Sequence, residues 1–392
     1  MKIAIDARWI FPAPSGIGVY TRELITHLAR IDHNNQYCLI FNDQQILDQT
    51  AETTGFTVNS KVTTALVPYG LFAPMGQMHM PDWLIRQGVD VFHSTNYMIP
   101  LRAFPRNRRG SIRCVITIHD VIPLKFPDHA PKARKSRLLP LFRWLMCEVG
   151  RRADRIITVS ATSRNDVLAH LHLSPSGVDK VRVIYNGVAE QFFPGPGMHA
   201  DDPSRPRTIL YVGRADPYKN LINLVRAFAA LKKEAPFPVR LKLVGATDPR
   251  YPEAPQMARE LGVEADCEWS AAMTTAQLVD AYRQADLFVL PSRYEGFGIP
   301  AAEAMACGTP VLCGDCGALR EVGGDAVLYV SPDDVPEMKR KMLQLLHDTR
   351  LARALATRGL QQVQRFTWRK TAEATLGVYE QLNDQAATAP HH

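Results

Sequence analysis

The chain has 392 residues, 46% of them hydrophobic and 22% charged, with a formal net charge of +7, which is the balance of an ordinary folded globular protein. That length exceeds one hydrophobic core, so two or three domains are expected, and no apolar run reaches the roughly 18 residues that cross a bilayer. The basic excess suits a phosphorylated substrate or an anionic membrane surface; basic and aromatic residues are not interleaved as in RNA-binding proteins, so nucleic acid is not an expected partner. The first six residues, Met1 to Asp6, run straight into a strand pattern, so no secretory leader is expected. The seven cysteines are scattered, which suits free thiols in a reducing, cytoplasmic compartment. Cys313 and Cys316 alone have ligand-like spacing, and a single C-x-x-C without a second pair does not make a metal site. The terminal His391-His392 has the look of a purification-tag remnant.

In chain order, Lys2–Ala7 predicts a strand, Val19–Arg30 a helix, and Tyr37–Phe41 and Val89–His93 strands. Arg113–His119 is apolar nearly throughout, as in a strand buried on both faces. Lys132–Ala153 predicts a long helix, Arg155–Ser160 a strand, Ser163 to His172 a helix, and Val181–Tyr185 a strand. From Phe193 to Pro206, Pro, Gly and Asp crowd together without an apolar period, which marks a linker. Alternation then restarts, with strands at Thr208–Gly213, Arg240–Gly245, Leu287–Pro291, Thr309–Cys313 and Ala326–Val330. Helices are expected at Asn220–Leu231, Thr275–Arg283 and Val335–Asp348, and Thr367–Asn383 forms a helical tail. Strand–helix alternation in both halves predicts an α/β protein of two Rossmann-like, doubly wound domains. The expected boundaries are 1–192, a linker 193–206, 207–366 and a final helix 367–385.

Ligands of open parallel sheets sit at the carboxyl ends of strands, so the chemistry is sought there. The first strand ends at Asp6-Ala7-Arg8, followed by a loop with Ser15, Gly16 and Gly18 before a helix. Glycines at such a place let backbone N–H groups approach a phosphate, or merely turn the chain. A nicotinamide site is disfavoured, because Thr21 stands where a third glycine would be and no acidic residue ends the second strand. In the second half, Gly213-Arg214-Ala215-Asp216-Pro217-Tyr218-Lys219-Asn220 puts two cations on a strand-end loop, where an anion would lie, and offers Asn220 as the cap of the next helix.

The densest segment runs Pro291-Ser292-Arg293-Tyr294-Glu295-Gly296-Phe297-Gly298-Ile299-Pro300-Ala301-Ala302-Glu303. Gly296 and Gly298 shape a tight loop and Pro300 opens a helix, so the N–H groups of Phe297, Gly298 and Ile299 would point outward. Glu303 falls within the first helical turn in this reading. A carboxylate accepts from two vicinal hydroxyls, so Glu295 and Glu303 beside an anion-binding turn suit a nucleotide-sugar. The base is expected near Gly245 and the stretch Trp269–Met273, with Met273 at its end, as strand ends beside the glutamate loop.

The two glutamates with Gly296-Phe297-Gly298 and Pro300 between them resemble the signature of the family-four retaining glycosyltransferases of GT-B fold. His119-Asp120, Ser160 with Ser163, Tyr185-Asn186-Gly187, Arg214 and Lys219 match the same family, over nearly the whole chain. Ile5-Asp6-Ala7-Arg8 with Gly16-Ile17-Gly18 resembles the branch that builds bacterial surface polysaccharides, often mannosyltransferases. The resemblance departs at Arg320-Glu321, where the family usually has Pro-Glu, and at the loop Cys313-Gly314-Asp315-Cys316.

The resemblance implies two facing domains about a deep cleft, with the last helix crossing back to the first. It implies Arg214 and Lys219 on the donor diphosphate, Glu303 on the ribose, Glu295 on the transferred sugar and His119 beneath that sugar. Gly16 and Gly18 would face the phosphate or the acceptor. It further implies a metal-independent transfer from GDP-mannose, or from a UDP-sugar, to a saccharide or lipid-linked oligosaccharide acceptor, at the inner face of the membrane. A phosphorylase or epimerase of the same fold would use the same phosphate site. The stretch Lys132–Arg152 mixes basic and bulky apolar residues. A helix burying Leu141, Leu145 and Val149 is preferred there to a surface that meets anionic lipid.

Overall fold

The computed structural model describes residues 1–12, 15–106, 108, 110–127, 138–171, 173, 175–195 and 205–387. Lys132 to Arg137, most of the linker and His391-His392 lie outside the described residues. The chain forms two compact units, one of Met1–Lys125, Leu138–Gly187 and the segment from Trp368, the other built on Val188–Thr367.

The first unit holds a seven-stranded parallel sheet in the order β3-β2-β1-β4-β5-β6-β7. Its strands are Lys2–Asp6 (β1), Gln36–Phe41 (β2), Val62–Leu66 (β3), Val91–Ser94 (β4), Arg113–Ile118 (β5), Arg155–Thr158 (β6) and Val181–Val183 (β7). The central strands are buried on both faces, their mainly apolar residues joined by the buried polar groups of Asp6, His93, Ser94 and Thr117. β3, with Thr63 and Thr64 exposed, has no apolar run and is not foreseen from the pattern. Unforeseen too are the helices Gln44–Thr54, Pro74–Arg86 and Glu253–Glu260. Pro74–Arg86 carries Pro81 in its interior, which argues against a helix until packing overrides it.

The second unit holds a six-stranded parallel sheet in the order β10-β9-β8-β11-β12-β13. These strands are Arg207–Val212 (β8), Val239–Val244 (β9), Cys267–Ser270 (β10), Leu287–Leu290 (β11), Val311–Gly314 (β12) and Leu328–Val330 (β13). In each sheet the order reverses beside the first strand of its unit, between β1 and β4 and between β8 and β11, which is where crevices form in doubly wound folds.

The division between the units falls five residues before the expected end of the first domain. The reason is local: Val188 bridges to Thr367, and its N–H donates to the Phe366 carbonyl at 3.1 Å. Phe192 then packs edge-on against Tyr282, with ring centres 5.9 Å apart. The terminal helix Trp368–Ala387 belongs to the first unit. Its Trp368 meets Tyr20, and its Tyr379 hydroxyl lies 2.6 Å from His93 Nδ1, deep in the core.

Candidate active site

In the second unit, the loop after β8 and the loop after β11 are neighbours because their strands pair directly. Lys219 Nζ meets both oxygens of Glu295, at 2.7 and 2.9 Å. Their side chains are 12% and 9% exposed, so this is a nearly buried ion pair. Ser292 Oγ donates to Glu295 Oε1 at 2.7 Å and fixes the carboxylate further. Burial alone would pull the Lys219 pKa down; Glu295 outweighs it, and the ammonium lies above its ordinary value. Arg214 stays on the surface, its side chain 66% exposed and its Nε 2.9 Å from Asp216 Oδ2.

Asn220 is not the side-chain cap expected of it. It sits in the left-handed region at φ 64°, and its amide donates to the carbonyls of Pro291 and Pro332 at 3.2 and 2.6 Å. Asn tolerates that backbone, and its amide ties the loops after β8, β11 and β13 together.

Gly298 opens the helix Ile299–Ala306 from a left-handed φ of 98°, with Pro300 as the second helical residue. A side chain there would strike Leu319, its Cβ 2.4 Å from Cδ2. Phe297 is buried edge-on against Phe366, and Gly296 is half-buried beside it. Glu303 is the fifth residue of this helix, just past the first turn where it was expected, and it is buried. It is 9% exposed and accepts from the Tyr282 hydroxyl at 2.9 Å. Burial raises its pKa to about 8. Tyr282 comes from another helix, Thr275–Gln284, and no spacing announces it.

The expectation that Gly245 and Met273 border the glutamate loop is corrected by the strand order. They follow β9 and β10, on the far side of β8 from β11. Gly245 instead abuts Gly213 at the end of β8: a Cβ on it would lie 3.3 Å from the Gly213 carbonyl oxygen. Arg320 holds Asp315 through two bonds of 2.5 and 2.6 Å. All seven cysteines are free, and among the described residues no group of three or more His, Cys, Asp or Glu is placed to hold a metal ion.

In the first unit, His119 follows β5, and its Nε2 lies 3.0 Å from the Thr95 carbonyl after β4. A carbonyl only accepts, so Nε2 carries hydrogen. The Tyr20 ring meets the imidazole edge-on at 4.8 Å, and the Tyr20 hydroxyl is 3.0 Å from Thr117 Oγ1. Below it His93, fully buried, bridges Thr117 and Tyr379; burial, with His119 nearby, holds its pKa down to about 3. None of this network is legible in spacing. Gly16 and Gly18 lie in the first turn of the helix Gly16–Ile31 and not in the loop before it. Ser15 Oγ already takes the Gly18 N–H at 3.1 Å.

Residues 200–362 match the family Glycosyl transferases group 1, and residues 14–192 match Glycosyltransferase Family 4. The chain is also 30% identical over 311 residues to a D-inositol 3-phosphate glycosyltransferase of Salinispora arenicola, covering 74% of this chain and 68% of that protein. The chain belongs to the family-four glycosyltransferases. This glycosyltransferase is 27% identical over 402 residues to the O-antigen chain mannosyltransferase B of Escherichia coli, covering 97% of this chain and 100% of that protein. Among solved structures it is similar to Anabaena HepE in complex with UDP-glucose, at TM-score 0.72 and 19% identity, covering 98% of this chain and 100% of the other. That likeness shows the fold, GT-B, which agrees with the two parallel sheets. The enzyme is a nucleotide-sugar-dependent glycosyltransferase.

Proposed function

We propose that this enzyme moves mannose from GDP-mannose to a saccharide acceptor carried on lipid, in surface-polysaccharide synthesis, with retention of configuration and without a metal. The observation that carries the reading is the Lys219–Glu295 pair at the reversal of the second sheet, in a chain similar end to end to an O-antigen chain mannosyltransferase. Lys219 and the exposed Arg214 hold the diphosphate and stabilise the charge that develops as it leaves. Glu295 accepts hydroxyls of the transferred sugar, Glu303 those of the ribose, and the loop Gly296–Ile299 lies along the phosphates. The base lies against Gly245 and Met273. His119 and the first turn at Gly16 and Gly18 serve the sugar and acceptor side. The acceptor oxygen attacks the anomeric carbon from the face the diphosphate leaves, and its proton passes to a donor phosphate oxygen.

Contact with anionic lipid has its own support. Leu138, Leu141 and Trp144 are 57%, 58% and 50% exposed at the N-cap and in the first half of the helix Leu139–Arg152, which also carries the exposed Arg143 and, in its last turn, Arg151. Leu141 is thus not the core residue expected; Val149 is buried, and Leu145 is packed only in part. Among the described residues no helix is long and apolar enough to cross a membrane.

A thermal-shift screen with GDP, UDP, ADP and their sugars tests the donor. At about 100 times its dissociation constant, GDP should stabilise the fold by roughly 2.7 kcal/mol. A response to UDP and none to GDP overturns the mannose assignment in favour of a UDP-sugar, the ligand of the Anabaena structure. Transfer should persist in excess EDTA; loss that magnesium or manganese restores overturns the metal-free mechanism.

Glu303 should make the stability of the fold depend on pH. Its pKa in the fold, about 8, lies above its ordinary 4.5, so the folded state holds an extra proton between those values. Stability should therefore fall as pH rises through that window, by up to roughly 1.4 kcal/mol per unit. Glu303→Gln should flatten that slope in thermal melts. If Glu303 binds ribose as a carboxylate, nucleotide affinity should rise from pH 6.5 to 8.5 in the wild type and not in the variant. Parallel pH profiles for the two proteins would rule this role out.

A further inference from the structure

The donor reading leaves Asp6-Ala7-Arg8 unused, yet Arg8 borders a cavity. It has a volume of about 370 Å³ and opens within the first unit at the carboxyl ends of β1, β2 and β3, lined in part by Arg8, Phe11, Asn42, Gly70 and Phe72. Small-molecule sites begin at roughly 300 Å³ and combine apolar or aromatic walls with a few fixed polar groups.

The polar group here is built in. Arg8 donates from Nε and Nη2 to the two oxygens of Asp6 at 2.8 and 2.7 Å, and from Nη1 to the Tyr69 carbonyl at 3.3 Å. The two side chains are 4% and 0% exposed, so the guanidinium is a rigid donor edge and not a mobile surface charge. Its charge is also neutralised by Asp6. The nearby Asp43 is engaged as a helix cap, accepting from the Ile46 N–H at 3.1 Å. A phosphate would find no uncompensated cation there, whereas hydroxyls would find donors and acceptors.

The walls are aromatic and out of place for a core. Phe11 and Phe72 are 40% and 60% exposed, and both meet the buried Trp9 edge-on, at 85° and 88°. Trp9 thus props two rings upright at the cavity, with faces suited to the C–H surface of a sugar ring. The floor is left open as well: a Cβ on Gly70 would have only the Asn42 amide nitrogen within 4 Å, at 3.8 Å.

We propose that this cavity binds a neutral hexopyranosyl residue of the acceptor saccharide, stacked on Phe72 or Phe11 and hydrogen-bonded to Arg8 and Asn42. The proposal rests on the reading that the acceptor is a saccharide. The test is saturation-transfer NMR on the full chain with methyl α-mannopyranoside, with mannose 6-phosphate as comparator. The variants are Phe72→Ala and Gly70→Leu, one removing a wall and one filling the floor, and the nucleotide thermal shift is recorded for each. The expected result is transfer to the ring protons in the wild type, reduced about tenfold in both variants as loss of roughly 1.4 kcal/mol predicts, with the nucleotide response unchanged. No transfer in the wild type, equal transfer in both variants, or stronger transfer to mannose 6-phosphate would each overturn the assignment. Phe72-dependent binding to lipid vesicles without saccharide transfer would also overturn it, giving the rings to a membrane. Failure of the nucleotide response in the wild type would instead strike the donor reading.

Discussion

Lys219→Ala is expected to lower sugar transfer by at least about 10² to 10³, the usual scale for deleting one preplaced group at a developing negative charge. The same change should weaken the fold. Glu295 is 9% exposed, and without Lys219 its carboxylate stays buried with Ser292 as its other hydrogen-bond partner on this side. Removing one member of a buried pair costs about 3–5 kcal/mol, mostly because the other charge is stranded. Glu295→Ala should cost similarly, with Lys219 stranded in its turn. The double variant should then be more stable than the sum of the singles, and no more active than either. Urea unfolding and single-turnover transfer on the four proteins measure both couplings. Wild-type turnover in Lys219→Ala would remove the pair from the chemistry; additive stabilities would show that the pair is not coupled in solution. Arg214→Ala is the contrasting case, since a side chain 66% exposed should lose transfer with little change in stability.

Gly314→Ala should be the most damaging single methyl in the second unit. A Cβ there would lie 2.4 Å from the Ser292 carbonyl oxygen and 3.0 Å from the Pro291 carbonyl carbon. Both are backbone atoms, so the end of β12 and the start of the glutamate loop must part. Overpacking of this kind costs about 1–3 kcal/mol, and the upper end is expected where no side chain can yield. Ser292 also holds Glu295, so nucleotide binding should weaken with stability. Gly298→Ala differs in a useful way. Its Cβ would strike the far end of the Leu319 side chain, and its φ of 98° adds backbone strain. Leu319→Ala should therefore rescue part of the Gly298→Ala loss, and none of the Gly314→Ala loss. Equal rescue of both in thermal melts would contradict this geometry.

Much of this enzyme was legible before folding. Short β-branched runs such as Cys114–Ile118 read as strands covered on both faces, and their alternation with helices points to a doubly wound sheet. The glycines around Phe297 and the proline after them place a tight turn and a helix N-terminus at a strand end, because backbone geometry and helix N-termini are local properties. The position of Arg214 and Lys219 on the loop after β8 was also legible, since a loop after a strand has a known end of the sheet to occupy.

What the sequence could not decide depends on residues distant along the chain. Seventy-six residues separate Lys219 from Glu295, and only the pairing of β8 with β11 makes them an ion pair. Glu303 could be placed near the start of its helix by spacing alone, but Tyr282 and the surrounding core make it a buried acid with a raised pKa. Asn220 looked like a cap, and two carbonyls from other loops recruited it instead. Gly245 and Met273 moved away from the glutamate loop because strand order is not chain order. β3 and the helix Pro74–Arg86 escaped notice because half-polar edges and an internal proline weaken the local signal until the rest of the sheet supplies their partners. Periodicity and backbone chemistry act over a few residues and can be read directly, whereas burial and charge pairing are set by which strands become neighbours, and that is decided only when the whole sheet assembles.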